Sequence, residues 1–175
     1  DAGSLSSPRE DISADLCIIG AGSGGLSVAA AAAQLGVKVI LLEKHKMGGD
    51  CLNYGCVPSK ALIAAAKRAH LMRTSGAFGI AAAAPAVDWP VVDWKGVHDH
   101  VKSVIAAIAP NDSVERFTGL GVRVIQSAGK FLDASTVAAG DYRIKARRFV
   151  IATGSSPAIP PIPGLAEAPH FTNET

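Results

Sequence analysis

Four segments near the start of the chain, in a fixed order, limit what it can fold into. Residues 14–19 form an apolar run broken at one position, as expected of a parallel strand buried on both faces. The glycine-rich turn GAGSGG follows over 20–25, and small residues then predict a helix over 26–35. A second apolar strand is predicted over 37–42 and ends on Glu43. This order predicts an α/β fold built on a parallel sheet.

The glycine turn has the spacing of a dinucleotide-binding fingerprint. Gly20 allows a tight turn, Gly22 lets the backbone approach a pyrophosphate, and Gly25 lets the helix pack close to the strand. The free N–H groups at the start of the helix would hold the phosphates. Glu43 lies where such units carry an acid that accepts a hydrogen bond from a ribose hydroxyl. The fingerprint alone does not separate FAD from NAD.

Two cysteines lie five positions apart in the segment GGDCLNYGCVPSK, over 48–60. In a straight helix, residues at this spacing have Cα atoms ~8.6 Å apart, whereas a disulfide needs less than about 7 Å. Cys51 and Cys56 therefore bridge only if the helix is distorted, and Gly55 and Pro58 permit distortion. Because a strained, exposed bridge is easily reduced, the segment predicts a redox dithiol.

Helices are predicted on either side of a loop in the middle of the chain. The first begins at Cys51, with Asp50 as its N-cap, and continues to about Thr74. The helix end would acidify the Cys51 thiol, and the adjacent Asp50 carboxylate would oppose this effect. Glycine, alanine and proline predict a loop over 75–90. Apolar residues at helical spacing predict the second helix over 93–108.

From Gly121 onward the apolar period changes to two, which predicts short strands. These are 122–126, 129–132, 136–138, 142–145 and 149–152. They predict a small antiparallel meander that lies across the parallel sheet and returns to it through its last strand. Residues 153–156 then lie at a carboxyl end of that sheet, where such sheets bind ligands. The proline-rich stretch that follows predicts a stiff, extended linker.

Composition narrows the classes of partner and compartment. The net charge is +2, and the basic residues are scattered rather than clustered, so no nucleic-acid partner is expected. No apolar run approaches the roughly 18 residues of a membrane span, so no membrane partner is expected either. The chain has 3 cysteines, too few for the disulfide scaffold of a secreted protein. The pair is better explained by catalysis in a reducing cytoplasm.

The cysteine segment, behind GAGSGG and ahead of IATGSSP, resembles the flavoprotein disulfide reductases. The likeness runs from Ala14 onward. The segments NDSVERFTGLGVRVI and GLAEAPHFTNET are similar in sequence to members of the dihydrolipoyl dehydrogenase and mercuric-reductase-like branch. It implies a Rossmann-like FAD-binding domain with a parallel sheet and a small antiparallel β-meander. It also implies that electrons pass from NAD(P)H to FAD, then to the cysteine pair, then to a small disulfide or dihydrolipoyl-type substrate.

The resemblance assigns roles to single residues. Cys51 would be the interchange thiol that attacks the substrate, Cys56 the thiolate held against the flavin ring, and Lys60 a cation near the flavin N5 edge. The positions implied to line FAD are Gly20, Gly22, Ser23, Gly24, Gly25, Glu43, Lys44, Gly49, Asp50, Lys60, Ala128, Gly129, Thr153, Gly154 and Ser155. No metal site is expected. Asp50 stands where many relatives carry Thr, so it either caps its own helix or weakens FAD binding.

Members of the resembled family have much longer chains, with an NAD(P)H-binding domain and a dimer domain. We therefore expect a disordered leader over 1–13, the N-terminal part of an FAD-binding domain over 14–156, and a linker toward an absent NAD(P)H-binding domain over 157–175. The full-length protein is expected to be a homodimer. Two alternatives stay open: a nucleotide-binding module that is inactive as an isolated fragment, and a flavin monooxygenase or oxidase whose cysteines are incidental.

Overall fold

One mixed β-sheet organises the structure, a computed structural model that describes residues 10–80 and 90–175. Within these ranges the sheet has six strands, in the order β3-β2-β1-β6-β5-β4. They are β1 (Glu10–Ile19), β2 (Val39–Leu42), β3 (Arg123–Ile125), β4 (Gly129–Asp133), β5 (Thr136–Ala139) and β6 (Tyr142–Ile151). The first three strands and β6 run parallel, whereas β4 and β5 are antiparallel to their neighbours. The predicted Rossmann-like α/β fold with a small antiparallel meander is confirmed.

Helices connect these strands. They are α1 (Ser23–Gln34), α2 (Gly49–Asn53), α3 (Cys56–Thr74), α4 (Trp94–Ile108) and α5 (Val114–Gly119), with short 3₁₀ turns over Ser75–Phe78 and Ala109–Asp112. The helix predicted over 93–108 is confirmed, and the Asp93 side chain caps it by accepting from the Lys95 N–H. In the described ranges, no helix has both the length and the apolar character needed to cross a bilayer.

Apolar side chains from β2 pack on both faces of the sheet. Val39 and Leu41 face α1 and α5 and pack with Phe117, while Ile40 and Leu42 pack with Val137 of β5. The antiparallel strands therefore fold over one face of the parallel strands, as the sequence predicts. Burial on both faces explains why strands β1 and β2 read as continuous apolar runs rather than as alternating ones.

Three predictions about the strands are wrong, two on their boundaries and one on their pairing. β1 begins at Glu10, and its first residues pair with the start of β6, so the predicted disordered leader does not include 10–13. Residues 1–9 lie outside the described residues, as do 81–89 of the predicted loop. The strands predicted separately over 142–145 and 149–152 form one strand, β6, because its first half pairs with β5 and its whole length pairs with β1. The strand predicted first in the meander, β3, pairs in parallel with β2 instead.

The segment 157–175 is less extended than its prolines predict. Gly164 adopts a φ of +84°, which lets the chain turn. The Leu165 N–H donates to the Ile162 carbonyl at 3.0 Å, and the Ala168 N–H donates to the Gly164 carbonyl at 3.1 Å. The segment therefore turns back beside the body of the domain instead of leading straight away from it.

Candidate functional site

The glycine turn after β1 leaves no room for a side chain at two of its positions, Gly20 and Gly25. Gly20 has a φ of +107°, and a Cβ there would collide with the Ala152 carbonyl after β6. A Cβ at Gly25 would collide with the Gly20 carbonyl oxygen, because α1 starts against the end of β1. Gly22 is the N-cap of α1. The turn thus presents bare backbone at the carboxyl end of the sheet, the arrangement that accepts an anionic ligand.

Glu43 fixes that turn from the neighbouring strand. Its Oε2 accepts a 2.7 Å hydrogen bond from the Ala21 N–H, and its Oε1 accepts one of 2.7 Å from the His45 N–H. The side chain is buried, with 8% of its residue surface exposed. Each carboxylate oxygen has a second lone pair, so the predicted acceptance from a ribose hydroxyl is compatible with these bonds. Sequence reasoning missed the structural role, because its signal lies in a contact between residues 22 positions apart.

A cleft of about 960 Å³ opens at this end of the sheet. Its volume is at the upper end of the range of small-molecule sites. Of the residues predicted to line a cofactor, the cleft is lined by Gly20, Gly22, Glu43, Lys44, Gly49, Asp50, Ala128, Gly129, Thr153, Gly154 and Ser155. The other predicted positions do not line the cleft: Ser23, Gly24 and Gly25 lie in α1, and Lys60 lies in α3.

The cleft lining also includes residues that sequence reasoning missed. These are Ile19, Leu42, His45, Lys46, Tyr54, Ser127, Ala152, Ser156 and Glu174. Most of them neighbour a predicted residue in sequence, so extending each motif by one or two positions finds them. Lys46 also stacks on Tyr54, with its Nζ 5.1 Å from the ring centroid. Glu174 is not close in sequence to any predicted site residue. It reaches the cleft because the segment 157–175 turns back toward the sheet.

The cysteine segment forms two helices rather than the single helix predicted. α2 ends at Asn53 and α3 begins at Cys56. The break is stabilised by the Asp50 carbonyl, which accepts from the Tyr54 N–H at 2.8 Å and from the Gly55 N–H at 2.7 Å. A Cβ at Gly55 would lie 2.6 Å from Asp50 Oδ2 and 3.2 Å from the Asp50 carbonyl oxygen, so a larger residue there would displace the Asp50 side chain. The distortion expected of the helix is therefore a complete break.

The break brings the two thiols together. The three cysteines are free within the described residues, with Cys51 half-buried and Cys56 exposed. A side-chain hydrogen bond with Cys56, and secondly burial, raises the pKa of the Cys51 thiol, while the positive charge of Lys60 opposes the increase. The acidification predicted for Cys51 in the dithiol form is therefore wrong, because the hydrogen bond with the neighbouring thiol raises its pKa. Cys17 is fully buried in β1, and burial raises its pKa to about 11.

Asp50 does not cap its own helix, contrary to one of the two predictions made for it. The N-cap of α2 is Gly48, with no side-chain capping bond, and Asp50 already lies in the first turn. Its Oδ1 instead accepts a 2.7 Å hydrogen bond from the side-chain amide of Asn173. The carboxylate is therefore drawn toward the other end of the chain rather than toward the helix N–H groups.

Possible metal ligands do not converge in this structure. Within residues 10–80 and 90–175, no group of three histidine, cysteine or acidic side chains is placed to hold a metal ion. The cleft therefore offers backbone donors and three basic side chains of the loop after β2. Cys51 and Cys56 do not line it, but Cys51 directly follows the lining residue Asp50. Such a set suits an anionic organic ligand next to thiol chemistry. The three basic side chains are Lys44, His45 and Lys46.

Comparison with known proteins identifies similar chains. A mercuric reductase of Lysinibacillus sphaericus is 35% identical over 92% of this chain and 29% of its own length. A dihydrolipoyl dehydrogenase of Acholeplasma laidlawii is 35% identical over 88% of this chain and 44% of its own length. The chain thus spans less than half the length of either relative, and the resemblance predicted from the motifs is confirmed.

The fold and the family are supported by two further comparisons. The Cu(II) complex of the HOCl-induced flavoprotein disulfide reductase RclA from Escherichia coli superimposes with a TM-score of 0.68, at 23% identity, over 88% of this chain and 31% of that one. This likeness supports the fold. The family model described as pyridine nucleotide-disulphide oxidoreductase matches residues 14–175. The chain therefore belongs to the pyridine nucleotide-disulphide oxidoreductase family.

Proposed function

We propose that this chain is the FAD-binding, dithiol-bearing N-terminal part of an NAD(P)H-dependent flavoprotein disulfide reductase, similar to dihydrolipoyl dehydrogenase or mercuric reductase. One observation carries the proposal: the glycine turn and the cysteine segment, residues 48–60, both line the same cleft. Gly20 and Gly22 line the cleft together with Asp50. Asp50 directly precedes Cys51, and its carbonyl stabilises the break that brings the thiols together.

The residues present fit FAD. The turn carries no side chain at Gly22, which lines the cleft, and a Cβ at Gly20 or Gly25 would collide with backbone carbonyls and displace the turn. The cleft volume of about 960 Å³ suits a large ligand. The backbone of Gly20 and Gly22 would hold the diphosphate, and Glu43 the ribose. The remaining lining residues, from Ala128 to Ser155, would border the rest of the cofactor.

Bound FAD would supply the two-electron chemistry. The protein contributes the thiol pair, whose oxidation forms one S–S bond and releases two electrons and two protons. Lys60 lowers the pKa of Cys51 by its charge, so it favours the thiolate that attacks a substrate. The proposed division assigns attack to Cys51 and contact with the flavin to Cys56. Solvent exposure alone does not dictate this division, since Cys56 is the more exposed of the two.

The first experiment tests FAD binding through Gly22→Ala. A Cβ at Gly22 meets one atom, Gly49 Cα, at an ordinary 3.9 Å, so the fold should tolerate it. The methyl group would nevertheless stand where the backbone should approach the diphosphate. We expect at least a tenfold weaker FAD affinity, about 1.4 kcal/mol, measured by quenching of FAD fluorescence.

Gly119→Ala is the matched control, since a Cβ there meets nothing within 4 Å. It should bind FAD as the unaltered chain does. If the Gly22→Ala variant binds FAD with the same affinity as the unaltered chain, the glycine turn does not contact FAD.

The thiol roles are tested in the longer protein. A Cys56→Ser variant should lose the long-wavelength absorbance that a thiolate gives beside oxidised flavin, while Cys51→Ser should retain it. The reverse result would exchange the two assignments. A titration under denaturing conditions should find two more thiols after reduction than after oxidation; an unchanged number would favour the monooxygenase or oxidase alternative with incidental cysteines.

NAD(P)H dependence, a small disulfide or dihydrolipoyl-type substrate, and a homodimer belong to the proposal for the longer protein. For the 175 residues by themselves, the second candidate is a nucleotide-binding module without turnover. It is favoured by the coverage, since the chain spans 29% of one relative and 44% of another. NADH oxidation by the purified, FAD-loaded chain would exclude it.

A further inference from the structure

The last four residues of the chain form a compact turn beside the cleft. The Thr172 N–H donates to Thr175 Oγ1 at 2.9 Å, and the Glu174 N–H donates to Thr172 Oγ1 at 3.1 Å. Glu174 lines the cleft. We call residues 172–175 the strap. The strap is thus part of the cleft rim, although no sequence motif assigns it to a site.

A side-chain hydrogen bond connects the strap to the cysteine segment. The Asn173 Nδ2 donates to Asp50 Oδ1 at 2.7 Å, across 123 residues of sequence. The other carboxylate oxygen of Asp50 lies 2.6 Å from the position that a Cβ at Gly55 would occupy. The Asp50 carboxylate therefore lies between the strap, which donates a hydrogen bond to it, and Gly55 in the break between α2 and α3.

Holding this carboxylate matters for an anionic ligand. Asp50 and Gly22 line the same cleft, and the start of α1 is the natural position for a diphosphate. A carboxylate free to rotate into the cleft would repel that diphosphate. An amide donor on Oδ1 instead fixes the carboxylate at the rim, where it fastens the strap.

We propose that Asn173 is a positioning residue that fastens the strap to Asp50, and that the fastened strap slows the release of the bound dinucleotide. The inference rests on the proposed function, because the occupant of the cleft is taken to be FAD. This role explains why position 50 is acidic. The charge-assisted hydrogen bond from Asn173 to the Asp50 carboxylate connects the strap to the cysteine segment across the edge of the cleft. The strap is then a specific element of the site rather than the start of a passive linker.

The decisive experiment exchanges the two partners. Asn173→Ala removes the donor, and Asn173→Asp sets two carboxylates against each other. The double variant Asp50→Asn with Asn173→Asp restores an amide–carboxylate pair with the charge on the strap. Release of FAD is followed by the recovery of its fluorescence after dilution of the loaded chain. Glu167→Ala, an exposed residue of the same segment, is the matched control.

We expect the Asn173→Ala variant to release FAD about tenfold faster, the ratio that corresponds to about 1.4 kcal/mol. The Asn173→Asp variant should release it faster still. The double variant should return to within about threefold of the unaltered chain, well inside the tenfold effect. Without FAD, amide exchange at Gly55 should also accelerate in Asn173→Ala, because its N–H is bonded to the Asp50 carbonyl.

Any other outcome of this experiment refutes either the proposed function, the role of the strap or the positioning role of Asn173. If the unaltered chain binds no FAD, the proposed function and the strap both fail. If it binds FAD and the Asn173→Ala variant releases it at the unaltered rate, only the strap fails. If both the single and the exchanged variants release FAD quickly with equally lowered melting temperatures, Asn173 merely stabilises the fold, and the positioning role is refuted.

Discussion

The two sides of the cleft are built differently. On the sheet side, Ile18 and Ala21 are fully buried, and the turn between them is packed against backbone atoms. On the thiol side, Tyr54 and Cys56 are exposed, and the break between α2 and α3 depends on hydrogen bonds to Asp50. Buried backbone contacts resist movement, whereas a hydrogen-bonded, exposed loop opens at lower free energy. The sheet side is thus preformed, and the thiol side can open at a lower free energy.

Substitution in the glycine turn tests the rigid side and should have the largest effect. In Gly25→Ala the new Cβ collides with the Gly20 carbonyl oxygen, a backbone atom that cannot rotate away. We expect the free energy of unfolding to fall by more than about 3 kcal/mol, in the range of core strain, in urea denaturation.

Gly24→Ala is the matched control for stability, because a Cβ there meets nothing within 4 Å in the same helical turn. It should leave the free energy of unfolding unchanged or raise it by up to about 1 kcal/mol through helix propensity. If both variants unfold equally easily, the turn is not rigid and the contrast between the two sides disappears.

The pH dependence of stability tests burial on the sheet side, with a smaller effect. Burial raises the pKa of Cys17 from 9.0 to about 11. In the folded chain the thiol stays protonated between these values, while in the unfolded chain it ionises and favours unfolding. Stability is therefore complete below pH 9 and decreases as the pH rises through 9 to 11. At pH 10 the loss should be about 1 kcal/mol relative to pH 8.

The measurement is urea denaturation at both pH values, compared with Cys17→Ala. The change in the free energy of unfolding between pH 8 and pH 10 is determined for each chain. Subtracting the change in Cys17→Ala from that in the unaltered chain removes the titration of every other group. A difference near zero would mean that water reaches Cys17, and that β1 is less rigid than its packing indicates.

The same contrast explains what the sequence could predict. The turn at Gly20 is dictated by backbone sterics, because its positive φ suits glycine, and the local sequence therefore predicts it. The packing of β1 and β2 follows from apolar runs. By contrast, the Asp50 side chain finds its partner, Asn173, 123 residues further along the chain. Only the folded chain brings that partner close, so the predicted cap was wrong. The break in the predicted helix is closed by local bonds to the Asp50 carbonyl.

The smallest effects are expected at the thiols, and they test the adjustable side. The hydrogen bond with Cys56 is the largest cause of the raised pKa of Cys51, and Lys60 acts in the opposite direction. Cys56→Ala should therefore lower the pKa of Cys51, and its alkylation by iodoacetamide should begin at a lower pH. Lys60→Ala should shift alkylation to a higher pH.

These opposite shifts are measured as alkylation rates against pH in the reduced chain, with mass spectrometry to identify Cys51. Cys17 serves as an internal reference, because a buried thiol with a pKa of about 11 should not react in the folded chain. Since Cys51 is half-buried, the shifts should be fractions of a pH unit rather than several. Shifts in the same direction for both variants would mean that loop opening, rather than local charge, controls the reactivity of Cys51.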